Sequence, residues 1–260
     1  MAKVLRLGTS RGPRITRLAG EHSQALNIRV KREKRASHGS LPYNPWVRDL
    51  IEAKRHSCAP VRPDDWKRGF TGWHERGYLP HRDEPGLTQF ITFHLADSFP
   101  ASLRSEWKAA LEVEDNAERR RQLEGYLDRG RGECHLRLPE VGRLMDGALR
   151  FYDGRICGLL AWCVMPNHVH ALLCVRSEPL VRVIAQLKRY TAREANRILG
   201  RTGRFWAKDC WDTYMRGSRQ QFETVKYIEN NPVKAFLVRD PKNWPWSSAR
   251  FRDEYGVLHL

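Results

Sequence analysis

The chain has 260 residues, 41% hydrophobic and 29% charged, with 46 Lys and Arg against 30 Asp and Glu for a net charge of +16. That composition can build an ordinary core, which excludes a disordered chain, and its basic balance suits an anionic partner, of which nucleic acid is the usual one. The longest apolar run, GLLAWCVM, is far too short to cross a bilayer, so no membrane partner is expected.

The positive charge is local. Residues 1–60 carry 13 basic and 4 acidic side chains, and residues 181–220 carry 10 and 3. Residues 1–66, rich in Gly, Pro and Ser around RVKREKRASHGS, read as a basic, flexible N-terminal extension. The folded domain is expected over 67–260. Its first ordered segment is GWHERGYLPH, followed by a strand in LTQFITFHLA, where Leu87, Gln89, Ile91, Phe93 and Leu95 alternate onto one side. A charged helix is expected over 102–128. A second helix, in LPEVGRLMDGALRFYDG, sets Val141, Leu144, Met145, Ala148 and Leu149 at helical spacing and stops at Gly154.

Two strands, 156–165 and 168–175, flank Pro166-Asn167 and read as antiparallel neighbours. A helix over 179–199 ends at Gly200. After a Trp-rich connection, a last helix is expected from about 219 to 230. Ser218 and Gln221 form its capping box, and Pro232 marks its end. Strand, helix, helix, strand, strand, helix, helix makes an α+β fold with a mostly antiparallel sheet and helices packed on it. The six cysteines form no C-x-x-C pair and no secretory pattern opens the chain, so reduced thiols in the cytoplasm are expected.

The stretch CVMPNHVHALLC carries the first chemical signal. On a strand, His168 and His170 project from one face, two imidazoles that could share a divalent ion or simply hydrogen-bond within a core. A third ligand decides the metal. Cys163 from the neighbouring strand would suit zinc, and an oxygen ligand would suit magnesium or manganese. On the last helix, Phe222, Val225 and Ile228 form the apolar stripe. Tyr227 lies apart from it, with Glu223 four residues before and Asn231 four after, so the three share a face. A phenol becomes a nucleophile towards a phosphodiester when an ion polarises the phosphate, and Asn231 is placed to give that ion its oxygen ligand. The competing phenol, Tyr190, flanks the Ile184, Leu187, Ile198 stripe of its own helix, where packing accounts for it.

Arg182, Arg189 and Arg193 share the opposite face of the 179–199 helix. Arg201, Arg204, Lys208, Arg216 and Arg219 follow, interleaved with Phe205, Trp206 and Trp211. Cations mixed with aromatics suit single-stranded or distorted DNA. Trp206 and Trp244 are expected in the core. Arg182, Arg189, Arg193, Arg204, Lys208 and Lys234 are the expected DNA contacts.

MPNHVHALL, YTAREANRILGRTGRFW, YIENNPVKAFLV and WPWSSA, in that order, resemble the REP-associated tyrosine transposases, bacterial relatives of the single-tyrosine HUH (IS200-like) transposases. The resemblance spans about residues 70–250. It implies a ferredoxin-like HUH domain, His168 and His170 as the HUH pair, Tyr227 as nucleophile, and Asn231 as third ligand for Mg²⁺ or Mn²⁺. It further implies a bacterial, nucleoid-associated enzyme that cleaves and rejoins single-stranded DNA at REP-like palindromic hairpins through a 5′-phosphotyrosine, as a monomer or homodimer. A non-cleaving DNA- or RNA-hairpin-binding protein is the alternative. Two departures stand out: residues 111–136 read as an insertion, and Phe236 stands where glycine is expected after the tyrosine helix.

Overall fold

The computed structural model describes residues 61–76, 79–99, 116–208 and 210–260. Nearly all of the expected N-terminal extension and the first half of the 102–128 helix lie outside them. The first described element is a short helix, α1 (Pro63–Arg68), at the expected domain boundary, and a two-stranded hairpin follows, β1 (Gly72–Arg76) with β2 (Leu79–Asp83).

The main sheet has four strands, β3 (Thr88–His94), β4 (Cys157–Val164), β5 (His168–Val175) and β6 (Trp211–Tyr214), in the order β4-β5-β3-β6 with every neighbour antiparallel. Helices α3 (Pro139–Tyr152) and α4 (Leu180–Ile198) form the two crossovers. β3 and β4 therefore run parallel with β5 inserted between them, which is the split β-α-β arrangement of a ferredoxin-like fold. Residues of β3, β4 and β5 are buried along their whole length. A strand covered on both faces loses the polar alternation of a half-exposed one, which is why these segments read as near-continuous apolar runs.

The two faces of the sheet are distinct. Ile91 and Phe93 project towards α3 and α4, where Lys188 Nζ lies 5.5 Å over the Phe93 ring and Trp162 Nε1 donates to Asp146 Oδ1 at 2.7 Å. Val141, Met145, Ala148 and Leu149 of α3 and Val183, Ile184 and Leu187 of α4 are the buried faces of those helices. Burying each such side chain is worth about 1.5–3 kcal/mol. Phe90, Thr92, His168 and His170 project to the other face. There they meet α5 (Ser218–Lys234), whose Ile228 is fully buried, and α2 (Asn116–Asp128), anchored by Leu123 and Leu127. Trp206 and Trp244 are buried as expected, their indole N–H groups donating to Thr191 Oγ1 at 2.9 Å and the Val164 carbonyl at 2.8 Å.

WPWSSA has a structural role. The Val164 N–H donates to the Trp246 carbonyl at 2.9 Å, and Ser247 bridges Cys163, so this segment covers the outer edge of β4. A Cβ on Gly142 of α3 would lie 2.4 Å from the Trp246 ring, so only glycine admits that close approach.

Several local expectations change. The connection 200–217 contains β6, a four-residue edge strand too short and too mixed to show periodicity. Ser218 is the first residue of α5 rather than its cap; Gly217 takes that position and no side chain caps the helix. The helix also continues through Pro232 to Lys234. Phe222 is 59% exposed, so the buried stripe of α5 is Gln221, Thr224, Val225, Ile228, Glu229, Asn231 and Pro232. Phe236, just past the helix, adopts φ 57°, the left-handed conformation that glycine favours. The five described cysteines are free thiols.

Candidate active site

Tyr227 stands over the sheet beside the histidine pair. Its ring centroid lies 5.8 Å from that of His170 and 6.0 Å from Phe90, both edge-on, while Phe90 stacks on His170 at 5.5 Å. The helical step from Tyr227 to Asn231 places the amide one turn further on, where Asn231 Nδ2 donates to the Tyr227 carbonyl at 3.3 Å.

The imidazoles are oriented by their neighbours. Asn167 Nδ2 donates to the Arg131 carbonyl at 3.0 Å, which fixes the amide so that Asn167 Oδ1 accepts from His168 Nδ1–H at 2.8 Å. In neutral His168 the lone pair is thereby on Nε2. Thr92 Oγ1 lies 2.8 Å from His170 Nδ1 and can either accept or donate. The two Nε2 atoms face each other at 3.0 Å. Without an ion, Thr92 donates to Nδ1 and His170 Nε2–H donates to His168 Nε2. With both protons on Nδ1, both Nε2 lone pairs are available to one ion. Burial holds the His168 pKa well below its ordinary value, aided by His170, His94 and Lys234, so the ring stays neutral and able to ligate.

These residues fit a divalent ion. Nitrogens bound cis on an octahedral ion at about 2.1 Å are about 3.0 Å apart, and the pair shows 3.0 Å. Asn231 Oδ1 is buried without a hydrogen-bond partner among the described residues, an orphan acceptor whose desolvation a cation would offset. Among the described residues, no group of three or more His, Cys, Asp or Glu side chains is placed to hold a metal, so a donor set here would have to be two imidazoles and an amide oxygen. Cys163 is the wrong ligand. Its thiol points to Met165 Sδ at 3.6 Å, and complete burial pushes its pKa well up, away from the thiolate zinc needs.

The carboxylate expected beside the phenol comes from elsewhere. Glu223 lies on the exposed side of α5 and pairs with Arg219 at 3.0 Å. The phenol instead donates to Glu124 Oε2 of α2 at 2.7 Å. One turn on, Asp128 Oδ2 accepts from Lys234 Nζ at 2.8 Å, and Asp128 Oδ1 lies 3.9 Å from His168 Nε2. Glu124 and Asp128 belong to 111–136, the stretch expected to be an insertion; its described helix in fact walls the site. Their i, i+4 spacing was visible in the sequence, but nothing local tied it to Tyr227 over a hundred residues away. Burial raises the Asp128 pKa against the opposing pull of Lys234. Burial first, then the charge and hydrogen bond of Glu124, raise the Tyr227 phenol pKa above its ordinary value.

The expected DNA contacts divide. Lys234 is in the site, with its ammonium 5.7 Å over the Tyr227 ring. Arg182, Arg189 and Arg193 lie on α4, across the sheet from Tyr227. Arg182 Nη1 donates to the Arg68 carbonyl at 2.9 Å and fastens α1, whereas Arg189 is exposed and Arg193 reaches Glu194 at 2.8 Å. Arg204 and Lys208 are exposed on the connection to β6. Tyr190 is on the outer surface of α4 beside Arg193, remote from the histidines.

Residues 148–231, the span that holds β4, β5, α4, β6 and most of α5, match the family described as Transposase IS200 like. That segment is similar to the IS200-like transposases, and the chain resembles the REP-associated tyrosine transposases. A Haemophilus influenzae protein described as a candidate REP-associated tyrosine transposase is 29% identical over 100 residues, 34% of this chain and 57% of its own length. The chain therefore matches little more than half of that relative. Among solved structures, a REP-associated tyrosine transposase bound to a REP hairpin is 17% identical, with 73% of this chain and 89% of that one covered and a TM-score of 0.43. A candidate transposase from Deinococcus radiodurans is 15% identical over 61% of this chain and 96% of its own, with a TM-score of 0.24.

Proposed function

We propose that the protein is a metal-dependent single-strand DNA endonuclease and strand transferase that cleaves through a 5′-phosphotyrosine on Tyr227. The observation that carries this reading is the position of a half-buried phenol against two imidazoles whose Nε2 atoms lie 3.0 Å apart, with an orphan amide oxygen one helical turn away. His168 and His170 through Nε2, and Asn231 through Oδ1, would hold the ion. Magnesium or manganese bound there would supply Lewis-acid polarisation of the scissile phosphate.

The chain's own residues do the rest. Packing of Phe90 and His170 against the Tyr227 ring fixes the line along which its oxygen approaches. Lys234 adds positive charge at the ring, where an anionic backbone arrives. Arg189, Arg193, Arg204 and Lys208 present exposed cations to the rest of the strand, so binding should weaken steeply with salt. The substrate class, imperfect hairpins of REP type, is the one implied by the resemblance of the sequence motifs to REP-associated tyrosine transposases, a description that the Haemophilus relative also carries. Residues 1–66 would serve as a basic extension to a domain spanning 67–260.

The test is to incubate the full chain with labelled single-stranded hairpin DNA and Mn²⁺ and resolve covalent adducts on denaturing gels. Wild type and Tyr190→Phe should form the adduct, and Tyr227→Phe should form none. Hairpin binding without any adduct would mark a non-cleaving binder instead.

A further inference from the structure

We propose that Glu124 is the proton acceptor for Tyr227, a catalytic carboxylate supplied by α2; the inference rests on Tyr227 being the nucleophile. The phenol needs a base. A free phenol is protonated at neutral pH.

Among the described groups around the phenol, Glu124 is the one placed to accept its proton. From α5, Asn231 is an amide with no useful basicity, and Lys234 is an ammonium already paired with Asp128 at 2.8 Å. From β5, the Nε2 atoms of His168 and His170 face each other at 3.0 Å, and both Nδ1 atoms are engaged by Asn167 and Thr92. From α2, Asp128 is one turn beyond, held by Lys234. Glu124, 5% exposed, has Oε2 at 2.7 Å from the phenolic oxygen, so the proton's path is already a hydrogen bond.

A carboxylate is a weak base towards a resting phenol, which is useful here. The proton stays on Tyr227 until attack begins. As the phenolic oxygen bonds to phosphorus its basicity collapses, and the proton passes to Glu124. The P–O3′ bond breaks; the 3′ oxygen leaves with the electron pair and takes a proton from water to become a hydroxyl. The number of phosphoester bonds is unchanged. In rejoining, the 3′ hydroxyl gives its proton to hydroxide from the solvent as its oxygen attacks phosphorus, the P–O bond to Tyr227 breaks, and Glu124 returns a proton to the phenolic oxygen.

The experiment measures single-turnover adduct formation with labelled hairpin DNA and Mn²⁺ from pH 6 to 9. It compares wild type, Glu124→Gln, and each with 3,5-difluorotyrosine at position 227, a phenol acidic enough to ionise without a base. Glu124→Gln should lower the rate at pH 7 by roughly 10²–10⁴-fold, leave hairpin affinity unchanged, and make the rate climb with pH. Difluorotyrosine should restore most of the loss in Glu124→Gln and change wild type little. A folded Glu124→Gln that matches wild type in rate and pH profile overturns the proposal. So does a loss that difluorotyrosine fails to rescue, which would make the residue a structural tether. Absence of adduct in wild type overturns the strand-transfer reading itself, and this inference with it.

Discussion

On β5, Val169, Ala171, Leu173 and Val175 face the layer that holds α3 and α4, while His168 and His170, on the alternate positions, face α2 and α5. All six side chains are buried to the same degree. The difference lies in what surrounds them. The first face is closed by apolar packing, where shape and area decide stability. The second is closed by a chain of polar contacts running from Asn167 through both imidazoles to Thr92, with Glu124, Asp128 and Lys234 beside the phenol. Burial of polar groups is tolerable only when each is paired, and the atoms left unpaired, Asn231 Oδ1 and Asp128 Oδ1, mark where this face has capacity to spare.

That contrast can be broken from either side. The largest effect should come from His170→Ala, which removes one of the two adjacent imidazole donors: Mn²⁺ affinity by calorimetry should fall by roughly 100-fold or more, together with adduct yield. If affinity is retained, the ion is held elsewhere. On the packed face, Ile91→Ala should cost about 2–5 kcal/mol in urea unfolding through lost burial and a residual cavity, with adduct rate per folded molecule preserved.

Asp146 sharpens the comparison, being a carboxyl buried within the packed layer. Burial raises its pKa above the ordinary 3.8, despite the hydrogen bond from Trp162 and the nearby Arg150. The folded state thus binds the proton more tightly than the unfolded one. Its contribution to stability is fully present below the unfolded value and is lost as pH rises through the folded one. Asp146→Asn, which keeps an acceptor for Trp162, should remove that fall, seen as a flatter stability profile from pH 3.5 upward. The smallest effect belongs to Phe236→Gly. The residue is 95% exposed at φ 57°, so glycine should relieve strain without losing packing and stabilise by about 1 kcal/mol in thermal unfolding.

Much of this was legible along the chain. β3, β4, β5, α3 and α4 each carry enough residues for their periodicity to show, and His168, His170, Tyr227 and Asn231 stand at the intervals of two and four that a strand and a helix impose. Phe236 too was visible as a misfit, because the left-handed residue after a helix has a local preference. The α5 stripe misled: Phe222 is apolar yet exposed, and Gln221, Thr224 and Glu229 are polar yet buried, since Glu229 pairs with Arg252 and Ser248, both at 2.5 Å. β6 had too few residues to declare itself.

The sequence by itself determined which residues lie on a common face, because backbone geometry sets those intervals whatever surrounds them. It thereby determined the two imidazoles and the step from phenol to amide. Only the tertiary structure decided which carboxylate meets that phenol. Glu223 is four residues from Tyr227 and turns to solvent with Arg219, while Glu124, on another helix, is carried to 2.7 Å by the packing of α2 through Leu123 and Leu127. Contact across a hundred residues depends on how apolar faces stack, and no local pattern encodes that.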